Sequence, residues 1–228
     1  MADPRTSQLT GAAADASTVP RVLSVNVGAV RDIEWRGKQV RTGIWKYPVG
    51  ERAIALRGVN FEGDDQADRT VHGGVDKAVY AYAVEDYRYW SEHEGIETSP
   101  GLFGENLTVQ GLDLRSALVG ERWTIGTAVI EIAQPRLPCF KLGIRMGDAL
   151  FPKRFLAVNR LGAYLRIVEE GEARAGDAVR VSFRPDHGVT LRSMAEALQD
   201  RGKAAALLAA PRLPEFWRRI AAGQSDRP

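Results

Sequence analysis

VGERWTIGTAVIEIAQPRLPCFKL, residues 119–142, is the stretch whose reading decides the fold. GERWTIG (120–126) and AVIEIAQ (128–134) read as two short strands, apolar at alternating positions and separated by a turn. Pro135 and Pro138 end the second strand and fix the direction of the chain beyond it, because proline restricts both itself and its predecessor. Cys139 comes next, and FKLGIRMG is a helix candidate directly after it.

The same grammar extends in both directions. RVLSVNVG (21–28) alternates Val22, Ser24 and Asn26 against Leu23, Val25 and Val27. KQVRTGIWKYPV (38–49) and RAIALRGV (52–59) are expected as strands around a tight Val-Gly-Glu turn, and KAVYAYA (77–83) is alternating and aromatic. NLTVQGL (106–112), AYLRIVEEG (163–171) and DAVRVSF (177–183) complete the set, and VEDYRYWSEHEG (84–95) is the other helix candidate. Many short strands in one segment predict a mainly β chain, folded as a barrel or a curved, partly closed sheet with a few helices.

The two ends differ from this middle. Residues 1–20 are rich in Ala, Ser, Thr, Asp and Pro, lack the apolar core of a signal peptide, and are expected to be a disordered tail. Residues 186–228 carry three helix-like segments. Thr190 is the expected N-cap of LRSMAEAL, KAAALLAA follows, and PEFWRRIAAG opens on proline. Segments this short bury little alone, so the stripe Leu191, Met194, Leu198, Phe216, Trp217 and Ile220 is expected to pack on itself, on the β domain of residues 21–185, or on a partner. The expectation is that this module docks a redox partner or a second copy of the chain, giving a homodimer, and is not needed to bind a cofactor.

Composition narrows the function classes. A net charge of +2 over 228 residues gives no footprint for nucleic acid. No apolar run approaches the roughly 20 residues of a membrane helix. The single cysteine precludes an intrachain disulfide and suits a reduced, cytoplasmic setting. His72, His93 and His187 are far apart, so no zinc-type pairing is visible.

Candidate chemistry sits in six places. Cys139 lies between Arg136 and Lys141, cations that favour the thiolate a soft metal needs, as would a following helix N-terminus; the plainer reading is a small buried apolar side chain. His72-Gly73-Gly74 offers a proton-transferring imidazole beside backbone that a ligand can approach closely. Asp64, Asp65 and Asp68 miss the spacing of a calcium loop and read as a solvated connection. Glu105 and Asn106 stand at the mouth of a strand, as ligands or as turn residues bonded to their own backbone. Lys46 and Arg166 are either strand-surface charges or anion contacts.

In order, LSVNVG (23–28), TGIWKYPV (42–49), EGDDQADRTVHGGVDKAVYAY (62–82), FGENLT (103–108), the 119–142 stretch and GAYLRIVEEGEARAGD (162–177) resemble the MOSC family, the molybdenum-cofactor sulfurase C-terminal domain, in its YiiM branch. Val75 stands where that pattern has proline, and the N-terminal tail is extra. The resemblance implies a β-barrel followed by a three-helix extension. It also implies a molybdenum–molybdopterin cofactor with Cys139 as metal ligand, and a Lys-Arg-Arg phosphate set to which Lys46, Arg136 and Arg166 are mapped. The implied activity is reduction of N-hydroxylated small molecules: hydroxylaminopurines, hydroxylamines and amidoximes. Electrons would come from a separate reductase, since no flavin, haem or iron–sulfur ligand set is visible. A sulfur carrier with a Cys139 persulfide, and a non-catalytic cofactor-binding protein, are the alternatives.

Overall fold

The computed structural model describes residues 19–67 and 73–224. The expected tail therefore falls almost wholly outside the described residues, as do Asp68 and His72. The elements in chain order are β1 (Arg21–Val27), β2 (Arg31–Trp35), β3 (Lys38–Thr42), β4 (Tyr47–Pro48), β5 (Ile54–Arg57), β6 (Asn60–Phe61), β7 (Val79–Ala83) and α1 (Val84–Glu94). Then come β8 (Leu107–Gln110), β9 (Arg122–Ile125), β10 (Ala128–Pro135), α2 (Phe140–Met146), α3 (Phe151–Val158), β11 (Ala163–Glu169), β12 (Gly171–Ala173) and β13 (Val179–Phe183). α4 (Leu191–Gln199), a 3-10 stretch (Arg201–Ala209) and α5 (Glu215–Ala221) complete the chain.

The main sheet has eight strands in the order β13-β9-β10-β11-β7-β8-β1-β4. Its pairings are antiparallel except β7 with β8, the two strands joined through α1. The expected barrel is not a closed ladder among the described residues. β1 and β13 meet near their first residues through one bridge, Arg21 with Ala178, flanked by backbone bonds such as Val22 N to Asp177 O at 2.9 Å. Smaller sheets join β12-β5-β6 and the hairpin β2-β3.

One expected strand is divided. KQVRTGIWKYPV holds strand geometry only at Lys38–Thr42 and Tyr47–Pro48. Between them the backbone leaves the sheet at Gly43, where a Cβ would lie 2.6 Å from the carbonyl oxygen of Asp65. No other residue permits so close a backbone approach, and the released segment becomes a cavity wall.

The helix expectations near the cysteine and at the C-terminus follow local chemistry. α1 stops at Gly95, whose φ of 65° is the left-handed C-cap that glycine supplies cheaply. α2 begins with Cys139 at its N-cap. Thr190 caps α4 by accepting from Ser193 N, and the Ser193 side chain bonds back to Thr190 N, closing a capping box. The second C-terminal segment is a 3-10 stretch instead of an α-helix.

Two apolar clusters hold the chain together. The larger mixes strand residues such as Val25, Ile130 and Leu165 with Leu191, Met194, Leu207, Leu213, Trp217 and Ile220. Burying each large side chain of that C-terminal set is worth about 1.5–3 kcal/mol, so the C-terminal segment packs into the same core as the sheet. The smaller cluster is aromatic, with Tyr82, Tyr87, Trp90, Phe103, Phe151 and Phe155 in edge and stacked contacts. Tyr80 and Phe103 carry it to the functional cavity.

Candidate functional site

A cavity of about 110 Å³ opens where six separate segments meet. Its walls come from residues 42–44 and 46 at the end of β3 and beyond it, residues 64–67 after β6, Lys77, Ala78 and Tyr80 around the start of β7, Phe103, Gly104 and Asn106 before β8, and the β10–α2 junction with Arg136, Cys139 and Lys141. Tyr164 of β11 completes it. Gly104 lets the 103–106 wall close on the 42–46 wall: at φ 84° it lies so close to Ile44 that a Cβ would meet Ile44 Cγ1 at 2.8 Å.

Arg136 is the centre of this site. β10 ends at Pro135 and the chain then crosses to α2, which sends the Arg136 side chain inward, 5% exposed. Its guanidinium carbon lies 5.6 Å from the ring centres of both Tyr80 and Phe155, and the Tyr164 side chain interacts with it electrostatically. Burial works against the charge, yet Tyr80, Tyr164 and Cys139 outweigh it and the pKa of Arg136 is raised. Its Nη1 is buried with no hydrogen-bond partner among the described residues. A buried charged donor without an acceptor is costly, and this one lines the cavity that also holds Cys139. Cys139 itself is half-buried, and its side chain makes no cap bond to α2.

Lys46 occupies the same cavity but is already paired. Its Nζ bonds both carboxylate oxygens of Asp64. Asp64 also accepts from Gly28 N at 3.0 Å and from Asn106 Nδ2 at 2.9 Å. Burial lowers the pKa of Lys46 in spite of Asp64. The reading of Asp64 as a solvated turn residue is thereby corrected: its side chain is 5% exposed because it neutralises a buried lysine.

Arg166 does not join Lys46 and Arg136. It lies opposite Glu131 on the β10–β11 ladder. There it donates Nη1 to Glu131 at 2.7 Å, Nε to Asp76 at 2.6 Å and Nη2 to the carbonyl of Arg212 at 3.0 Å. It lines a separate groove with Val75, Pro211 and Arg212. The mapping of Arg166 to an anion set beside Cys139 is therefore corrected.

Glu105 and Asn106 have supporting positions. Glu105 is fully buried and is not part of the cavity lining. Its Oε1 accepts from Tyr87 Oη and Gly101 N, each at 2.7 Å, and from Thr108 Oγ1 at 2.9 Å, which pins the 101–108 loop. Asn106 reaches the cavity and accepts from Tyr80 N at 3.1 Å while donating to Asp64. Gly73 and Gly74 lead into the turn Val75–Lys77, and the wall is formed by Lys77 and Ala78. His72 lies outside the described residues.

Sequence reasoning missed Lys77, Tyr80, Tyr164 and Asp64 as wall residues, and named Lys141 only as a neighbour of Cys139. The alternation of KAVYAYA and AYLRIVEEG gave the face of each tyrosine but not what stood opposite. Among the described residues no three His, Cys, Asp or Glu side chains converge as a metal cluster, so a metal held here would depend on Cys139 and on donors from its own cofactor. No helix among them is long and apolar enough to cross a membrane.

Comparison with known proteins fits this geometry. The MOSC domain family matches residues 68–180. YflK of Bacillus subtilis (strain 168) is 38% identical over 170 residues, covering 75% of this chain and 76% of YflK. YiiM of Escherichia coli (strain K12) is 32% identical over 126 residues, covering 54% and 56% of the two chains. A protein of Gibberella moniliformis named "Reductase" is 31% identical over 127 residues, which span 54% of this chain but 22% of that one. The crystal structure of YiiM from Geobacillus stearothermophilus superposes with a TM-score of 0.72 at 26% identity, over 90% of this chain and 98% of that one. With that agreement in sequence and in fold, the chain belongs to the MOSC-domain family, in its YiiM-type branch.

Proposed function

We propose that this protein is a molybdenum-cofactor-dependent reductase of N-hydroxylated compounds, with Cys139 as the thiolate ligand of the metal. The observation that carries the reading is the pairing, in one cavity, of a half-buried cysteine with a buried arginine whose Nη1 has no acceptor. A soft thiolate and an unsatisfied guanidinium are the two donors that a metal-bound pterin with a phosphate requires. Lys141 and Lys77 add positive charge at the wall. The enclosed volume is below the about 300–1,000 Å³ that surrounds a whole drug-sized ligand, so the cavity would take the anionic part and the remainder would face its opening.

When bound, the cofactor would supply the electron pair that, with two protons, reduces N–OH to N–H and releases the oxygen as water. The chain's own residues do the rest. Arg136 favours the thiolate of Cys139 and grips an anion with a planar fork that lysine lacks. Tyr80, Phe103 and Tyr164 line the cavity and give its wall an aromatic, largely apolar character. Electrons arrive from a separate reductase. The fungal relative named "Reductase", much longer than the segment it shares with this chain, supports an oxidoreductase over a carrier.

The test is to produce the protein in a host that makes the cofactor, then quantify molybdenum and pterin per chain. Turnover of a hydroxylaminopurine and an amidoxime is then measured with a chemical reductant. Stoichiometric metal with turnover is expected. Protein without molybdenum or pterin overturns the reading in favour of a persulfide carrier, and loaded protein without turnover leaves a binding module.

A further inference from the structure

Two chains of contacts leave the C-terminal segment and end on one residue, Asp76. In the first, the indole Nε1 of Trp217 donates to Gln134 Oε1 at 2.8 Å, and Gln134 Nε2 donates to the Asp76 carbonyl at 3.3 Å. In the second, Arg212 Nε donates to Glu131 Oε1 at 2.9 Å, and Arg166 joins Glu131 Oε1 to Asp76 Oδ1. Asp76 is the middle residue of the turn Val75–Lys77, and Lys77 and Ala78 form cavity wall.

The first chain has a built-in polarity. An indole N–H can only donate, so it forces the oxygen of the Gln134 amide toward Trp217. The amide nitrogen must then face the Asp76 carbonyl. Without the indole N–H, Gln134 Oε1 loses its donor and the Asp76 carbonyl alone, over 3.3 Å, selects this orientation. At the Trp217 end the contact is enclosed, with Trp217 fully buried and Gln134 4% exposed, so water cannot easily replace the missing indole there. The second chain turns on Glu131, 1% exposed. Its burial would raise its pKa, but the guanidinium bonds from Arg166, Arg122 and Arg212 outweigh this and hold it below the usual carboxylate range. One carboxylate thus fixes Arg212 from the C-terminal segment and Arg166 from β11 together.

We propose that the C-terminal segment positions the cavity wall: Trp217 through Gln134, and Arg212 through Glu131 and Arg166, fix the Asp76 turn and with it Lys77. This rests on the cavity being the cofactor site only for its functional consequence, not for the contacts. It differs from the expectation that the helical module is dispensable for the cofactor.

Full-length Trp217→Phe, which keeps a buried ring but removes the N–H, is compared with Gln134→Met and with the double variant. Amide hydrogen exchange is read on peptides covering residues 75–79 and, as controls, α4 and β9. Each single change is expected to accelerate exchange in 75–79 about three- to tenfold, the worth of one hydrogen bond, with the control peptides unchanged. The double variant is expected to be no faster than either single one, because both cut the same chain. Effects that multiply, exchange that rises throughout the sheet, or no change in 75–79 would overturn the proposal. Molybdenum content of the same variants is expected to fall with the local acceleration. Accelerated exchange at full molybdenum content would support the contact chain while removing the cavity from the cofactor's site, so the two readings fail separately.

Discussion

Lys46 and Asp64, 18 residues apart in sequence, meet as an ion pair whose side chains are 9% and 5% exposed. The cavity is therefore less positive than its cations alone suggest, and the buried Nη1 of Arg136 is left without an acceptor. Removing one partner of a buried pair leaves the other uncompensated, at a cost of about 3–5 kcal/mol. Asp64→Asn is expected to lose stability in that range by urea unfolding. The double variant Lys46→Met/Asp64→Asn is expected to lose less than the sum of its parts. Additive losses would mean that the two side chains are not coupled.

Cys139→Ser separates ligation from folding. The residue is an N-cap, a position that serine fills better than most residues, so stability is expected to change by less than about 1 kcal/mol. Molybdenum content is expected to collapse. A folded variant that keeps its metal would show that the thiolate is not a ligand.

Arg136→Lys keeps the charge but loses the planar fork and its packing between Tyr80 and Phe155. One charge-assisted hydrogen bond is worth about 1.5–3 kcal/mol. Cofactor retention during dialysis, measured as pterin per chain, is expected to fall about ten- to a hundredfold. Equal retention would place the anion elsewhere.

Glu105 gives a pH signature. Burial raises its pKa, against the bonds from Tyr87, Gly101 and Thr108. Its contribution to stability is full below the ordinary carboxylate pKa of about 4.3. It is lost as pH rises through the higher folded-state pKa, because the unfolded chain ionises first. Glu105→Gln cannot ionise and keeps the carbonyl acceptor. Denaturation midpoints of parent and variant are expected to diverge in the variant's favour as pH rises above about 4.3, the ordinary carboxylate pKa. A constant difference would mean that Glu105 titrates as it does unfolded.

Local chemistry made much of this protein legible in its sequence. Alternation marked β1, β7, β10 and β11, two prolines delivered Cys139 to the start of a helix, and Thr190 announced a cap, because strand faces, proline breaks and capping are settled within a few residues. The motif order was enough to place the chain in its family. Which charges face one another was a tertiary decision. Arg166 alternates correctly along β11, yet its destination, Asp76, is 90 residues away, and Trp217 finds Gln134 across 83. Sheet order sets β11 between β10 and β7, and this hands Arg166 to Glu131 while leaving Tyr164 beside Arg136. Periodicity tells a side chain which way to point, but only the packed fold decides what waits there: a carboxylate that neutralises Lys46, or no acceptor at all for Nη1 of Arg136.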